Sequence, residues 1–393
     1  MKLHGRFGNN PAVLRWVDEG ADSKLPKLVL REISIDLHFW KGRKVFITGH
    51  TGFKGSWLSL WLQRLSADVV GYSLPAPTNP SLYEVANVTA SMVSVVGDVR
   101  DYQRLRASLE MHRPEVVFHM AAQSVVSLSY QNPIDTYSTN VMGTVNLLEA
   151  MRHISGRTAI INVTSDKSYA NREWIWGYRE TDRLGGYDPY SNSKACSELV
   201  TQAFTDSFFS AGTNEDSGKS IATARAGNVI GGGDWTRDQL VPDVVNAFHE
   251  GRPAILRNPH AVRPWQFVLD CLGGYMTLAE KLFLEGRRYG GPWNFGPHQR
   301  DTLAVQELVE RLMNRWPGKA SWVQDAGSHP HESGCLRLDT SKTIQLLGWT
   351  PRLVVTEALD WIVDWYERYF QGAEPKALCV EQIERFETMK PVR

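Results

Sequence analysis

From Arg43 onward the chain alternates short apolar, β-branched runs with stretches of helical spacing, and few folds accommodate that rhythm. The first run covers 43–48 and is followed by helical spacing over 55–65. Further strand-like runs fall at 68–74, 92–97, 115–121 and 158–164, with helical patterns between them and a sixth candidate at 221–225. Strand and helix in turn dictate βαβ units, a parallel sheet and right-handed crossovers. Beyond 225 the rhythm loosens, and Gly231-Gly232-Gly233, Arg252-Pro253 and Pro264-Trp265 punctuate shorter elements. We therefore expect an α/β protein. A Rossmann-type doubly wound parallel sheet is joined to a smaller, interleaved α/β substrate-binding domain.

Composition narrows the partners. Lys plus Arg total 43 and Asp plus Glu total 43, so no global basic field draws nucleic acid or an anionic membrane. The four cysteines are scattered without Cys-x-x-Cys spacing, which fits a reducing cytosol. No apolar run approaches the roughly 18 residues of a membrane span. The expectation is a soluble, cytoplasmic protein whose anionic ligands are held by local clusters. Most of the 14 tryptophans belong in the core.

Thr48-Gly49-His50-Thr51-Gly52-Phe53-Lys54-Gly55 joins the first strand to the first helix. Absent Cβ atoms let backbone approach a pyrophosphate, and the helix N-terminus offers N–H donors and a positive dipole end. The alternative is an ordinary strand–helix turn. Between an apolar strand and a helix, Gly49, Thr51, Gly52, Phe53 and Gly55 read as a dinucleotide cradle. The acid that would hold the adenosine ribose is missing from Gly71-Tyr72-Ser73-Leu74, leaving Ser73 as its weaker substitute. Arg100 follows the third strand and is a poor marker of a 2′-phosphate, so NAD is favoured over NADP. Asp98 is placed for the adenine amino group, or else is a helix N-cap ahead of Leu105.

The fifth run ends at Thr164-Ser165-Asp166-Lys167, and Tyr190-Ser191-Asn192-Ser193-Lys194 follows twenty-five residues beyond Ser165. Side chains at the carboxyl ends of parallel strands face the ligand crevice. Tyrosine has an ordinary pKa near 10. An ammonium at Lys194, one helical turn away, and a nicotinamide cation would favour its phenolate. Tyr190 could then take a proton from a sugar C4 hydroxyl as hydride leaves, with Ser165 bridging to the same oxygen. A C4 ketone acidifies the C5 proton. Elimination then needs an acid for the departing C6 hydroxyl and a base for C5. Asp166 suits the acid if burial keeps it protonated, and Lys167 the base if burial keeps it neutral. The alternative is a plain surface ion pair.

These motifs, with 77–82, 119–123, 225–235, 263–266 and 347–351, resemble the extended short-chain dehydrogenase/reductase family from about Phe39 to Arg352. Within it the chain is similar to the CDP-D-glucose 4,6-dehydratases. Thymidine-nucleotide relatives carry glutamate where this chain has Lys167, and the cytidine group carries lysine. The resemblance implies tightly bound NAD, contacted also by Val99, Ala121, Ala122, Tyr190 and Lys194. It implies a cycle of oxidation, elimination and hydride return on CDP-glucose, in supply of dideoxysugars for a bacterial surface polysaccharide. It also implies a homodimer joined through helices including the one at Tyr190, or a dimer of such dimers. Alternatives are a dTDP- or GDP-sugar dehydratase, a C4 epimerase, for which Asp166 and Lys167 would have no work, and a silent NAD-binding module.

Substrate contacts fall to Gln123 and Ser124 after the fourth strand, Asn228 after the sixth, and Arg263, whose guanidinium suits a diphosphate. Each could instead be a structural turn or cap. His329-Pro330-His331-Glu332 near Cys335 lacks a familiar fourth ligand, so no metal is expected. The boundaries are 1–38, an extension unlike the rest or upstream sequence from a start-site choice; 39–227, the NAD-binding domain; 228–370, mainly nucleotide-sugar-binding; and 371–393, a tail. Residues 214–219 read as a solvated loop. Thr356 reads as the N-cap of a last helix ending at Phe370, with Leu359, Ile362, Val363 and Tyr366 on one side.

Overall fold

The computed structural model describes residues 36–210, 218–327 and 333–390. Twelve strands occur among them. The first six are β1 (Lys44–Thr48), β2 (Asp68–Ser73), β3 (Val93–Val96), β4 (Val116–His119), β5 (Thr158–Val163) and β6 (Lys219–Ala226). Then come β7 (Asn228–Ile230), β8 (Ala254–Leu256), β9 (Val262–Phe267), β10 (Gly291–Phe295), β11 (Thr302–Ala304) and β12 (Trp322–Gln324). Seven of them form the expected parallel sheet in the order β10-β6-β5-β4-β1-β2-β3. The order reverses between β1 and β4, where Thr48 stands opposite His119, and that reversal opens a crevice at the strand ends. Beyond β6, β7 runs parallel to β9, β9 antiparallel to β11, and β8 parallel to β12.

Strand alternation explains why both faces are covered. Val45, Ile47, Phe118, Ile161, Ala222 and Ala224 pack one way, with Trp57 and Trp61 of the helix Phe53–Arg64 and Cys271 and Met276 of the helix Val268–Glu285. Phe46, Val70, Val117 and Ile160 pack the other way, with Leu105, Leu109, Leu147 and Met151. Trp40, Trp57, Trp61, Trp293 and Trp365 are fully buried.

Three readings change. Lys219, assigned to a solvated loop, is buried in β6, and burial lowers its ammonium to about 8; the rest of that loop up to 217 lies outside the described residues. The helix Val355–Phe370 is capped at Val354, so Thr356 sits inside its first turn. Asp301 accepts the Val355 N–H at 3.2 Å, which removes the need for a hydroxyl cap. Residues 371–393 are not a plain tail. Glu374 caps the helix Pro375–Thr388, which buries Leu378, Cys379, Ile383 and Phe386 and sets Phe386 edge-on to Trp61 at 5.6 Å.

Candidate active site

The glycine loop divides its labour. Gly49 has φ +79°, and a Cβ there would lie 2.7 Å from the Ala121 nitrogen; a Cβ on Gly55 would lie 2.2 Å from the Gly49 oxygen. Gly49 is demanded by the close passage of the loops after β1 and β4, and Gly55 by the tight fold of its own loop back onto Gly49 and His50. Gly52 is different, since a Cβ there meets only the Gly49 oxygen at 3.5 Å. Gly52 caps the helix Phe53–Arg64 without a side-chain hydrogen bond, so the amides of that first turn stay available to an anion. Thr48 Oγ1 accepts from the Met120 and Ala121 amides at 3.1 Å, fixing the opposite wall. The residues present fit a dinucleotide pyrophosphate.

At the tip of β2, Ser73 is buried, and its hydroxyl shares a 2.8 Å hydrogen bond with Thr51. Asp98 accepts from the Arg100 amide at 2.9 Å and its guanidinium at 2.6–3.0 Å, and that partner holds its carboxyl below the usual range. The alternative N-cap reading of Asp98 fails, because Asp101 caps the helix Tyr102–His112. Arg100 also pairs with Asp135, so its charge is already met. Val99 is buried, with its carbonyl accepting from Asn146 at 2.9 Å. His50, which the sequence reading passed over, bonds Ser94 through Nε2 at 2.8 Å, and burial lowers it to about 4, so it is neutral at pH 7.

Beyond β5, Ser165 caps a short turn, Asp166–Ser168, accepting from the Lys167 amide at 3.1 Å and donating to Asp166 Oδ1 at 3.0 Å. Asp166 is 2 % exposed, and its Oδ2 has no partner among the described residues. Burial raises its pKa above the ordinary carboxylate value, opposed by the Lys167 charge, the Ser165 hydrogen bond and the Arg263 charge. Gly227 lies against this oxygen, where a Cβ would come within 2.9 Å. Lys167 is half-buried rather than enclosed, and lines a cavity of about 530 Å³ with Arg172, Arg183, Tyr187 and Arg263.

The helix Pro189–Phe208 carries Tyr190, which is buried and raised well above its ordinary pKa by desolvation, with Ser165 acting in the opposite direction. Lys194 departs from expectation. Its Nζ donates to the Val163 carbonyl at 3.0 Å, tying the helix to the end of β5. Burial lowers Lys194 to about 7, the Lys54 charge pushes the same way, and Glu198 opposes both. Its i+4 place on the helix brings it to the strand end, where one of its three donors ties the helix to β5.

Of the substrate candidates, Gln123 turns inward. Its Oε1 accepts from the Val125 amide at 2.6 Å, and its Nε2 donates to the Val125 carbonyl at 3.1 Å and Thr136 Oγ1 at 2.9 Å, so the structural-turn alternative holds. Ser124 is exposed on the same loop. Asn228 is half-buried, with Oδ1 unpartnered among the described residues. Arg263 is buried on β9, donates to the Val262 carbonyl at 3.1 Å, and borders the cavity that Lys167 lines. Residues 329–332 lie outside the described residues, and among those described no His/Cys/Asp/Glu group could hold a metal ion. Arg172 and Arg183 are cavity residues that the sequence reading missed, since a loop arginine carries no periodic signal.

Comparison with known proteins gives the family. The family model described as GDP-mannose 4,6 dehydratase matches residues 46–361. The chain is 52% identical over 345 residues to CDP-glucose 4,6-dehydratase of Salmonella typhimurium, covering 88% of this chain and 96% of that one. It is 27% identical to dTDP-glucose 4,6-dehydratase of Xanthomonas campestris, over 86% of this chain and 97% of that one. Among solved structures, UDP-glucose 4-epimerase of Thermotoga maritima superposes with a TM-score of 0.73 at 21% identity, covering 83% of this chain and 99% of that one. The dTDP-glucose 4,6-dehydratase of Streptomyces venezuelae, solved with NAD bound, gives 0.69 at 24% identity, covering 84% and 99%. With a family model spanning most of its length and a relative 52% identical over 88% of it, the chain belongs to the GDP-mannose 4,6 dehydratase family, within the extended short-chain dehydrogenases/reductases.

Proposed function

We propose that this protein dehydrates CDP-D-glucose to CDP-4-keto-6-deoxy-D-glucose, with bound NAD as a recycled hydride carrier. One observation carries the reading. A buried carboxyl, Asp166, whose pKa desolvation raises, sits beside a cavity-lining amine, Lys167, at the end of β5. The 52% identity to a CDP-glucose enzyme supports the choice of nucleotide. When bound, NAD would accept hydride from C4 and return it to C6.

The chain's own residues manage the protons. Desolvation opposes ionisation of Tyr190, but the positive charge of bound nicotinamide would favour its phenolate, which takes the proton of the C4 hydroxyl as the C4–H bond breaks, with Ser165 bridging to that oxygen. Lys167, as the neutral amine, then removes the C5 proton, the C5–C6 double bond forms, and the C6 hydroxyl leaves as water with the Asp166 proton. Lys167 returns a proton to C5 and Asp166 regains the proton that Tyr190 took from the C4 hydroxyl, so that, with the hydride NAD would return, substrate and product differ by one water. Arg263 faces the same cavity and suits the diphosphate. Asn228 and Ser124 remain the side chains proposed to meet the substrate, Ser73 and Asp98 those proposed to meet adenosine.

Exposed Leu128, Ile134 and Leu199 on neighbouring helices, with Met142 close by, suit a homodimer built on the Tyr190 helix. No described helix is long and apolar enough to cross a membrane. We place the enzyme in the cytoplasm, supplying a dideoxysugar route to a surface polysaccharide. Incubation with CDP-, dTDP-, UDP- and GDP-glucose tests the proposal. A 4-keto-6-deoxy product from CDP-glucose at a kcat/KM well above the others is expected. A C4 epimer alone, or no turnover, refutes it.

A further inference from the structure

Glu198 and Arg225 form an ion pair inside the protein, only 4% and 3% exposed, and neither belongs to the chemistry described above. Arg225 grips Glu198 with both prongs, Nε and Nη2 each at 2.9 Å, from β6 across to the Tyr190 helix. Thr223 donates to Glu198 Oε2 at 2.6 Å. A buried pair of this kind adds little net stability over apolar side chains of the same volume, so stability alone is a poor reason for it. Its directional reach is a better one.

That reach has two ends. The Thr164 hydroxyl donates to Glu198 Oε1, one residue before Ser165. Arg225 Nη1 donates to the Tyr169 hydroxyl at 2.8 Å, two residues after Lys167, and the guanidinium lies 4.8 Å from the Tyr169 ring centroid. Tyr169 donates onward to Asn294 Oδ1 at 2.7 Å on β10. The segment bearing Ser165, Asp166 and Lys167 is thus pinned at both ends to one ion pair. The acidic member of that pair stands one helical turn beyond Lys194 and two beyond Tyr190 on the same helix.

We infer that the Glu198–Arg225 pair is the positioning unit that holds the elimination residues Asp166 and Lys167 in register with the oxidation residue Tyr190. The inference rests on the dehydratase reading. Both half-reactions act on adjacent carbons of one sugar, so a shift of about 1 Å between the two groups is enough to slow the second step by up to 10²-fold. Lysine at 225 keeps the charge but cannot hold Glu198 through two prongs and reach Tyr169 as well.

Removing either charge leaves its partner buried and unpaired, which threatens folding. The test therefore loosens the pins instead, with Thr164→Val, Tyr169→Phe and the double variant, in the full-length protein with NAD and CDP-glucose. Expected is a kcat lower by about 10- to 100-fold in the double variant with KM within about threefold. Reduced nicotinamide should accumulate in the steady state, and solvent deuterium should exchange into C5 more slowly per active site. Thr164→Ser, which retains the hydroxyl, should behave as wild type. An unchanged kcat overturns the inference, as does a loss of rate that tracks loss of folded, NAD-binding protein without nicotinamide accumulation. If the wild type itself yields no 4-keto-6-deoxy sugar, the dehydratase reading fails and takes the inference with it; normal wild-type turnover with unaffected variants sinks the inference alone.

Discussion

A carboxyl that is to protonate a leaving hydroxyl must first hold a proton, and burial of Asp166 raises its pKa in the direction required. The sign of the pH dependence follows. With the folded value raised, the acid form is present at low pH and is lost as pH rises through that value, so kcat should fall on the alkaline side. Asp166→Asn should lower kcat by about 10²–10⁴-fold and remove that limb from the pH–rate profile; a variant that keeps both rate and limb would assign the proton elsewhere. Lys167→Met separates the half-reactions differently. C4 oxidation should persist as bound reduced nicotinamide while C5 deuterium exchange falls by about 10²–10⁴-fold, and unimpaired exchange would remove Lys167 from the base role. The placement of Ser165, Asp166 and Lys167 at a strand end and of Tyr190 at a helix start was legible because local pattern fixes those elements. The Lys194 target was not. A flexible amine takes the acceptor that tertiary packing offers, here the Val163 carbonyl, and Gln123 likewise meets a local turn that spacing does not reveal.

Element boundaries were read well where period and burial agree, as in β1, β2, β4, β5 and β6, and poorly where caps come from afar. Thr356 looked like a cap because a hydroxyl preceded an apolar periodic run, yet Asp301, fifty-four residues before Val355 in sequence, takes the N–H. The helix Pro375–Thr388 was missed for the opposite reason. Gly372 and Pro375 resemble a terminus, but proline at the first helical position opens a helix as readily as it follows one. Leu378, Ile383 and Phe386 are nearly fully buried, so this element closes the first core layer rather than trailing from it. Leu378→Ala should cost about 2–5 kcal/mol, measured by urea unfolding with an unchanged m-value. A cost below about 0.5 kcal/mol, typical of surface changes, would show that the helix is not part of the cooperative unit.

At the scale of the molecule, the crevice is assembled from β1, β4, β5 and β6 ends, with Arg263 arriving on β9, so its shape could be expected from topology but its close approaches could not. Gly227 against Asp166 and Gly49 against Ala121 are contacts between residues far apart in sequence. They give glycine substitutions opposite consequences. Gly49→Ala places a methyl against backbone at a φ of +79° and should destabilise the protein with or without ligand. Gly52 has φ −79° and only a 3.5 Å neighbour, so Gly52→Ala should leave apo stability nearly intact while its methyl occupies the approach of a pyrophosphate. Ligand linkage reads this directly, because NAD at 100 times its Kd should add about 2.7 kcal/mol to wild-type stability. At that same concentration Gly52→Ala should lose most of the NAD-dependent rise in Tm and retain the rise produced by CDP, whose diphosphate is proposed to meet Arg263. If CDP, dTDP, UDP and GDP raise Tm equally, the cytidine preference does not reside in nucleotide binding. If Gly52→Ala keeps the full NAD shift, the cofactor does not approach the open face of this loop.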